Sequence, residues 1–281
     1  MKKVVITGGS GLLGPSVIQE FLDHGYDVLN VDRQLPKEPL CNSLIADLTN
    51  LGEVYGVLQG ADAVVHLAAI PRPGIHTNEV TFENNTVTTY NILEACGNLG
   101  IKKAVITSSE SAYGLVFPTV RLEPQYVPLD EAHPALPQDP YGLSKIVNEQ
   151  TGEMIHRRTG MQVVSLRIGN VIAPHMYADF PDFIHKPEVR RKIMWSYIDA
   201  RDAASAYRLA VEKDGLGAVA LNVAADDTSM DIKSEDLMKE IYPEVEIRGP
   251  LGDYETLFSN KKAKKLLDWK PVHKWRDYVK L

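Results

Sequence analysis

The sequence predicts an α/β protein built on a doubly wound parallel sheet with a small C-terminal lobe. Three observations carry that expectation. Short β-branched runs alternate with longer amphipathic stretches, a glycine-rich turn follows the first run, and the alternation breaks down only in two proline-bearing regions and the tail. Strand–helix alternation of this kind requires helices on both faces of a parallel sheet, whose strands are then apolar throughout.

Taken in order, KVVIT (3–7) reads as the first strand and 11–24 as the first helix, joined by TGGSGLLG (7–14). Gly8, Gly11 and Gly14 are three apart. That spacing lets the Gly11–Leu12–Leu13–Gly14 backbone approach a pyrophosphate at a helix N-terminus. DVLNVD (27–32) is the second strand and ends on Asp32, where a carboxylate binds the ribose hydroxyls of an adenosine. This favours NAD over NADP, since a 2′-phosphate would be repelled. The adjacent Arg33 leaves that choice open, because it could pair with the phosphate or stack on adenine. Only fourteen residues separate Asp32 from Asp47, and they include Pro36 and Pro39, so the second connection is expected to be a loop.

AVVHLA (63–68), KAVITS (103–108), QVVSLR (162–167) and AVALNV (218–223) read as further buried strands, with helices at 78–99, 140–159 and 200–213 between and after them. The proline-rich connection 114–140 is expected to form a flap over the site, and 173–196, with Pro174, Pro181 and Pro187, is irregular. Residues 1–170, joined by 197–223, are expected to form the nucleotide-binding domain. Residues 171–196 and 224–281 are expected to form a substrate lobe above the C-terminal strand ends. His66 and Cys96 read as core residues.

PYGLSK (140–145) places Tyr141 and Lys145 four apart on one helix face, behind a candidate N-cap, Asp139, and a first-turn proline. The ammonium and the positive helix end would both favour phenolate, lowering a pKa that is about 10 in free tyrosine. The pair is therefore a candidate proton-transfer site.

Composition narrows the function. Hydrophobic residues make up 44% and charged residues 24% of 281, and the net charge of −7 argues against a nucleic-acid or membrane-surface partner. The KKAKK run at 261–265 reads as a solvated helix face. MKKVVITGGSG has too short an apolar stretch for a signal peptide, no segment is long enough to span a membrane, and Cys41 and Cys96 show no metal or redox spacing. A cytoplasmic protein with no metal site is expected.

TGGSGLLG, ADL (46–48), HLAA (66–69), ENNTVTTYNILEAC (83–96), SSESAYG (108–114), YGLSK (141–145), LRIGN (166–170), YIDARDAA (197–204) and NKKAKKLLDWKP (260–271) together resemble the extended short-chain dehydrogenase/reductase family. The likeness runs nearly end to end. It implies a Rossmann-type domain, NAD as cofactor, a sugar or nucleotide-sugar substrate and a homodimer through the helices at 78–99 and 141–158. The apolar Val87, Ile92, Leu99, Ile146 and Met154 suit such an interface. The resemblance makes Tyr141 the general acid/base, Lys145 its partner and a ribose contact, and Ser109 the hydroxyl bonding the reacting oxygen. It adds Asp47, Leu48, Leu67, Ala68, Ala69 and Asn85 to the cofactor contacts, although Asn85 could equally serve helix geometry.

Glu110 and Ser111 stand where the family's dehydratases carry two acids, so a substrate contact for Glu110 is expected and full dehydratase chemistry is not. Asn170 matches a substrate-side position. Arg190 and Arg191 could bind a phosphate or carboxylate, or form a solvated pair. The lobe is short for gripping a whole nucleotide sugar, which keeps a free-sugar or uronate dehydrogenase open beside an epimerase. A non-catalytic dinucleotide sensor is disfavoured because Ser109, Tyr141 and Lys145 are all present.

Overall fold

The computed structural model describes residues 2–280. Its strands are β1 (Lys3–Thr7), β2 (Asp27–Asp32), β3 (Asn42–Ile45), β4 (Ala63–His66), β5 (Lys103–Ser109), β6 (Tyr126–Val127), β7 (Gln162–Ile168), β8 (Val171–Ile172), β9 (Ile198–Asp199), β10 (Ala218–Val223) and β11 (Glu246–Ile247). The helices are α1 (Gly14–Asp23), α2 (Leu51–Leu58), α3 (Asn78–Leu99), α4 (Pro140–Thr159), α5 (Pro187–Arg190), α6 (Ala200–Glu212), α7 (Ser234–Ile241) and α8 (Lys261–Leu267).

Seven strands form one sheet in the order β10-β7-β5-β4-β1-β2-β3, parallel throughout. Alternation along each strand divides the core between its faces. Val4 and Ile6, Ala63 and Val65, Val105, Val164 and Leu166 face α1, α6 and α8. Val5, Val64, Ala104, Ile106 and Val163 face α2, α3 and α4. This two-unit period with both faces apolar is what a doubly wound sheet demands. The chain reverses direction across the sheet between β1 and β4, so a crevice opens at their C-terminal ends.

The short second connection is a loop, as expected, and it still accommodates β3 at the sheet edge. Two other expectations need amendment. The proline-rich connection closes over the cleft only around Val116 and Phe117. Farther on, Val127 and Leu129 pack with Met194, Trp195, Met238 and Phe258 in a hydrophobic cluster separate from the two sheet faces. The tail does not all lie in that cluster either. Ala263, Leu267 and Trp269 lie against the sheet, because α8 is apolar on one side while Lys264 on its other side pairs with Asp226 at 2.8 Å.

Of the five apolar positions expected at a dimer interface, only Ile92 is fully buried, while Val87, Leu99, Ile146 and Met154 are half-buried. α3 and α4 lie side by side, and Leu99 and Met154 pack on the sheet core. Val80, Tyr90 and Leu143 are the large apolar side chains these helices leave exposed.

Gly8 carries a left-handed backbone (φ +75°), and an added Cβ there would sit 2.5 Å from the Ala68 amide nitrogen. Gly8→Ala is therefore expected to cost about 1–3 kcal/mol or more. Denaturant unfolding measures this; an unchanged midpoint would mean the loop can reshape freely.

Candidate active site

The site begins with the loop that leaves β1. Gly8 N–H donates to Val31 O at 2.8 Å, Gly11 N–H to Gly8 O at 3.1 Å, and Gly14 N–H to Gly11 O at 3.2 Å, a tight coil leading into α1. Two side chains on β2 hold it in place. Asn30 Oδ1 accepts from Gly9 N–H at 3.1 Å, and Asp32 Oδ2 accepts from Ser10 N–H at 2.9 Å. A Cβ on Gly14 would lie 2.1 Å from Gly9 O, so the close packing leaves no choice of residue there. Asn50, Asp139 and Asp199 cap α2, α4 and α6 with side-chain hydrogen bonds, whereas the N-terminus of α1 has no side-chain cap. That end faces a cleft of about 670 Å³. An uncapped helix start beneath a glycine coil, with a carboxylate at the next strand end, fits a dinucleotide: pyrophosphate at α1 and ribose at Asp32.

Gly8, Gly11, Leu12, Leu13, Gly14, Asp32, Arg33, Asp47, Leu48, Leu67, Ala68 and Ala69 line this end of the cleft. Ser109, Glu110, Tyr141, Lys145 and Asn170 line it too. Three expected residues do not. Asn85 is buried, accepting from Ile70 N–H at 2.8 Å and donating to Ile70 O at 3.0 Å, so it braces the loop after β4 from behind. Arg190 is half-buried behind Asn170 and bonds its Oδ1 at 2.8 Å, Ser229 Oγ at 2.8 Å and Ser196 O at 2.9 Å, with Phe183 4.7 Å beneath the guanidinium. Arg191 turns away and pairs with Glu188 at 2.8 Å. The two arginines are thus neither a solvated pair nor a common anion clamp.

The candidate catalytic groups meet where β5 and α4 approach. Asp139 caps α4 by accepting from Gly142 N–H at 2.8 Å, and Pro140 opens the first turn, so Tyr141 and Lys145 share one helix face, as read from the sequence. Lys145 Nζ lies 5.2 Å from the Tyr141 ring centre and donates to Thr107 O at 2.8 Å. Ser109 lines the cleft beside the phenol, donates to Ser111 Oγ and accepts from Ser111 N–H, both at 3.1 Å. Beneath them, Glu149 accepts from Ser108 Oγ at 2.5 Å and forms a two-pronged ion pair with Arg167 at 2.8 and 2.9 Å. Arg167 in turn donates to Tyr113 Oη at 2.9 Å.

The electrostatics correct one expectation. Burial pushes the Tyr141 phenol up to about 12, Glu110 and Asp139 push the same way, and only the Ser109 hydroxyl opposes them. Burial also pushes the Lys145 ammonium down to about 8, against the field of Glu149. Desolvation therefore outweighs the lysine and the helix end, and the protein alone keeps the phenol protonated. Glu110 is buried as well. Its carboxyl is pushed up to about 8, and it accepts from Ser196 Oγ at 2.5 Å.

His66 is a satisfied core histidine, bonded to Thr7 Oγ1 at 2.7 Å and Thr89 Oγ1 at 3.1 Å, with burial holding it near 3. Cys96 is buried in the core. Sequence reading missed Phe117, whose ring stands edge-on to Tyr141 at 6.3 Å, and also Arg72 and Ile193 on the cleft wall. Nothing in their local patterns distinguishes them from loop residues. Among the described residues there is no cluster of metal-binding side chains, and no helix is long and apolar enough to cross a membrane.

Comparison with known proteins places this geometry among relatives. Residues 4–224 match the NAD dependent epimerase/dehydratase family. The chain is 29% identical over 223 residues to the NAD-dependent glucose-6-phosphate dehydrogenase of Haloferax volcanii, covering 75% of this chain and 80% of that protein. It is 26% identical to the UDP-glucose 4-epimerase of Lacticaseibacillus casei, covering 95% of this chain and 91% of that one. Among solved structures, a short-chain dehydrogenase/reductase superfamily protein from Agrobacterium tumefaciens with bound NAD superposes with a TM-score of 0.76. It is 20% identical and covers 97% of this chain and 93% of that one.

The buried lysine gives a testable consequence. An ordinary lysine titrates at 10.5, so its lowered value means the folded chain bears a cost for the ammonium. The cost is complete below about pH 8 and fades as pH rises toward 10.5, where the unfolded chain also loses its proton. Lys145→Met should gain about 1–3 kcal/mol of stability at pH 7, after losing the bond to Thr107 O. The gain should shrink across that window. Denaturant melts at pH 7 and at pH 9.5 decide it, and a destabilised variant at neutral pH would contradict it.

Proposed function

The chain belongs to the NAD dependent epimerase/dehydratase family, and from that membership we propose that it oxidises a hydroxyl of a sugar or nucleotide sugar with NAD. The observation that carries this reading is the convergence of Ser109, Tyr141 and Lys145 on one end of a cleft whose other end is the glycine coil and Asp32. NAD, when bound, supplies the hydride acceptor and, in its oxidised form, a positive charge.

The protein's own groups handle the proton. Ser109 donates to the substrate oxygen and keeps it beside Tyr141. Tyr141 accepts the hydroxyl proton as phenolate, and Lys145 compensates that negative charge and holds the ribose. Because burial opposes phenolate, a positive charge next to Tyr141 is needed before it becomes a base. Gly8, Gly11–Gly14, Asp32, Arg33, Asp47, Leu48 and Leu67–Ala69 hold the cofactor, with Asn85 bracing the loop they share. The segments 171–196 and 224–260 act as the substrate lobe, with Glu110 and Asn170 on the sugar.

A second reading, net dehydrogenation of a free sugar or sugar acid, is favoured by one feature. Arg190 is a half-buried cation within bonding distance of Asn170 on the cleft wall, and no carboxylate lies within ion-pair distance of it among the described residues. A substrate carboxylate or phosphate reaching past Asn170 would meet that charge. NAD remaining bound through purification, with no net absorbance change, would support transient oxidation and epimerisation. NADH accumulating on addition of a free sugar or sugar acid would support the dehydrogenase.

The chain also pairs as a homodimer through the outer faces of α3 and α4, where Tyr90 and Leu143 are exposed. Sedimentation at micromolar concentration tests this, and Leu143→Glu should shift the wild-type dimer to monomer.

Tyr141→Phe should lower turnover at saturating NAD by roughly two or more orders of magnitude while leaving cofactor affinity nearly unchanged. Near wild-type turnover would remove the phenol from the mechanism. NAD should bind more tightly than NADP, and Asp32→Ala should narrow the gap. Equal dissociation constants in the wild type would give Arg33 the deciding role.

A further inference from the structure

On the far side of the cleft wall lies a second crevice of about 160 Å³, and we propose that it binds a small organic anion, a phosphate or carboxylate on an apolar body, and thereby ties the flap to the lobe. Its walls come from three segments. The flap contributes Leu115, Arg121 and Leu122, and the stretch after α5 contributes Arg191 and Lys192, with Tyr242 at the end of α7.

Charge is the first argument. The chain carries −7 overall, yet three cationic side chains converge on this one small hollow. The carboxylates near them do not consume that charge. Arg121 meets Glu123 at 2.8 Å, with both side chains largely in water, and Arg191 meets Glu188, whose side chain is 71% exposed. Such pairs are screened and worth little, so both guanidinia can exchange them for a better acceptor. Lys192 has no carboxylate within ion-pair distance among the described residues. Guanidinium groups beside an ammonium form a strong donor set for a phosphate or carboxylate.

Shape is the second. Leu115 and Tyr242 are buried and make the floor, so the hollow is apolar below and cationic at its rim. Bare inorganic phosphate would use the rim alone, whereas an aromatic phosphate or carboxylate would use both.

Connectivity gives the site its consequence. Leu115 and Pro118 line the crevice while the two residues between them, Val116 and Phe117, line the catalytic cleft. Arg191 and Lys192 line the crevice while the next residue, Ile193, lines the cleft. An anion held by Arg121 from one segment and by Arg191 and Lys192 from the other therefore clamps together two strips of the same wall. One of those strips carries Phe117 against Tyr141. The proposal is independent of which sugar is oxidised.

Calorimetric titration of the full-length protein at constant ionic strength tests it, with phenyl phosphate, benzoate and inorganic phosphate as probes. Phenyl phosphate or benzoate should bind saturably at one site and at least several-fold more tightly than inorganic phosphate. Which of the two binds better identifies the anion. Lys192→Glu, at an exposed position, should weaken that binding at least tenfold with an unchanged melting temperature. Arg121→Ala should weaken it too. Hydrogen exchange with phenyl phosphate or benzoate present should slow in both 115–122 and 190–193. No saturable binding at millimolar probe, or binding indifferent to Lys192→Glu, would overturn the site. Protection confined to one segment would overturn the clamp.

Discussion

The buried ion pair between Glu149 on α4 and Arg167 on β7 is the constraint on which the catalytic end depends. It is not a simple stabiliser, because removing two charges from water costs about as much as their attraction returns. Its value lies in what it fixes. Glu149 receives the Ser108 hydroxyl, so the end of β5 is locked to α4 one residue from Ser109. Arg167 holds Tyr113, whose hydroxyl donates to Asn222 Oδ1 on β10 at 2.8 Å and lies 3.0 Å from Asp130 O in the long connection. A single charged pair thus sets the relation of Ser109 to Tyr141 and anchors the flap's base to the sheet. Losing one partner would leave an unpaired charge among these groups, a loss of about 3–5 kcal/mol.

The same burial explains the state of the proton-transfer pair. Tyr141 and Lys145 sit where water is scarce, and scarcity of water penalises phenolate and ammonium alike. The phenol is held protonated and the lysine is brought close to losing its proton, so neither group is poised for oxidation by the protein alone. A positively charged ligand beside the phenol would change that balance strongly, because a low-dielectric pocket magnifies any new charge.

Most of the scaffold was legible because it follows local rules. The two-residue alternation of β1, β4, β5 and β7, the glycine spacing at 8–14, and Asp139 with Pro140 at the head of α4 each act within a few residues. What escaped depends on distant neighbours. The rise of the Tyr141 pKa comes from packing that spacing cannot reveal. Arg190 and Arg191 are adjacent in sequence, yet one enters a half-buried network with Asn170 and Ser196 and the other faces the outer crevice. Asn85 sits in the expected block but braces a loop, and Phe117 reaches Tyr141 from a connection with no periodic pattern.

The substrate end follows the same physics with the opposite sign. Glu110 and Arg190 are a buried carboxyl and a half-buried cation linked through Ser196, whose hydroxyl donates to Glu110 and whose carbonyl accepts from Arg190. Burial drives the acid toward its neutral form and weakens the hold of the arginine on its proton. With Glu110 neutral, this end carries a net positive charge; with Glu110 ionised, it carries none. A neutral sugar gains little from either condition, whereas an anionic group reaching Asn170 is attracted only in the first. Under the proposed function, this pairing would favour an anionic group on the substrate while Glu110 holds its proton.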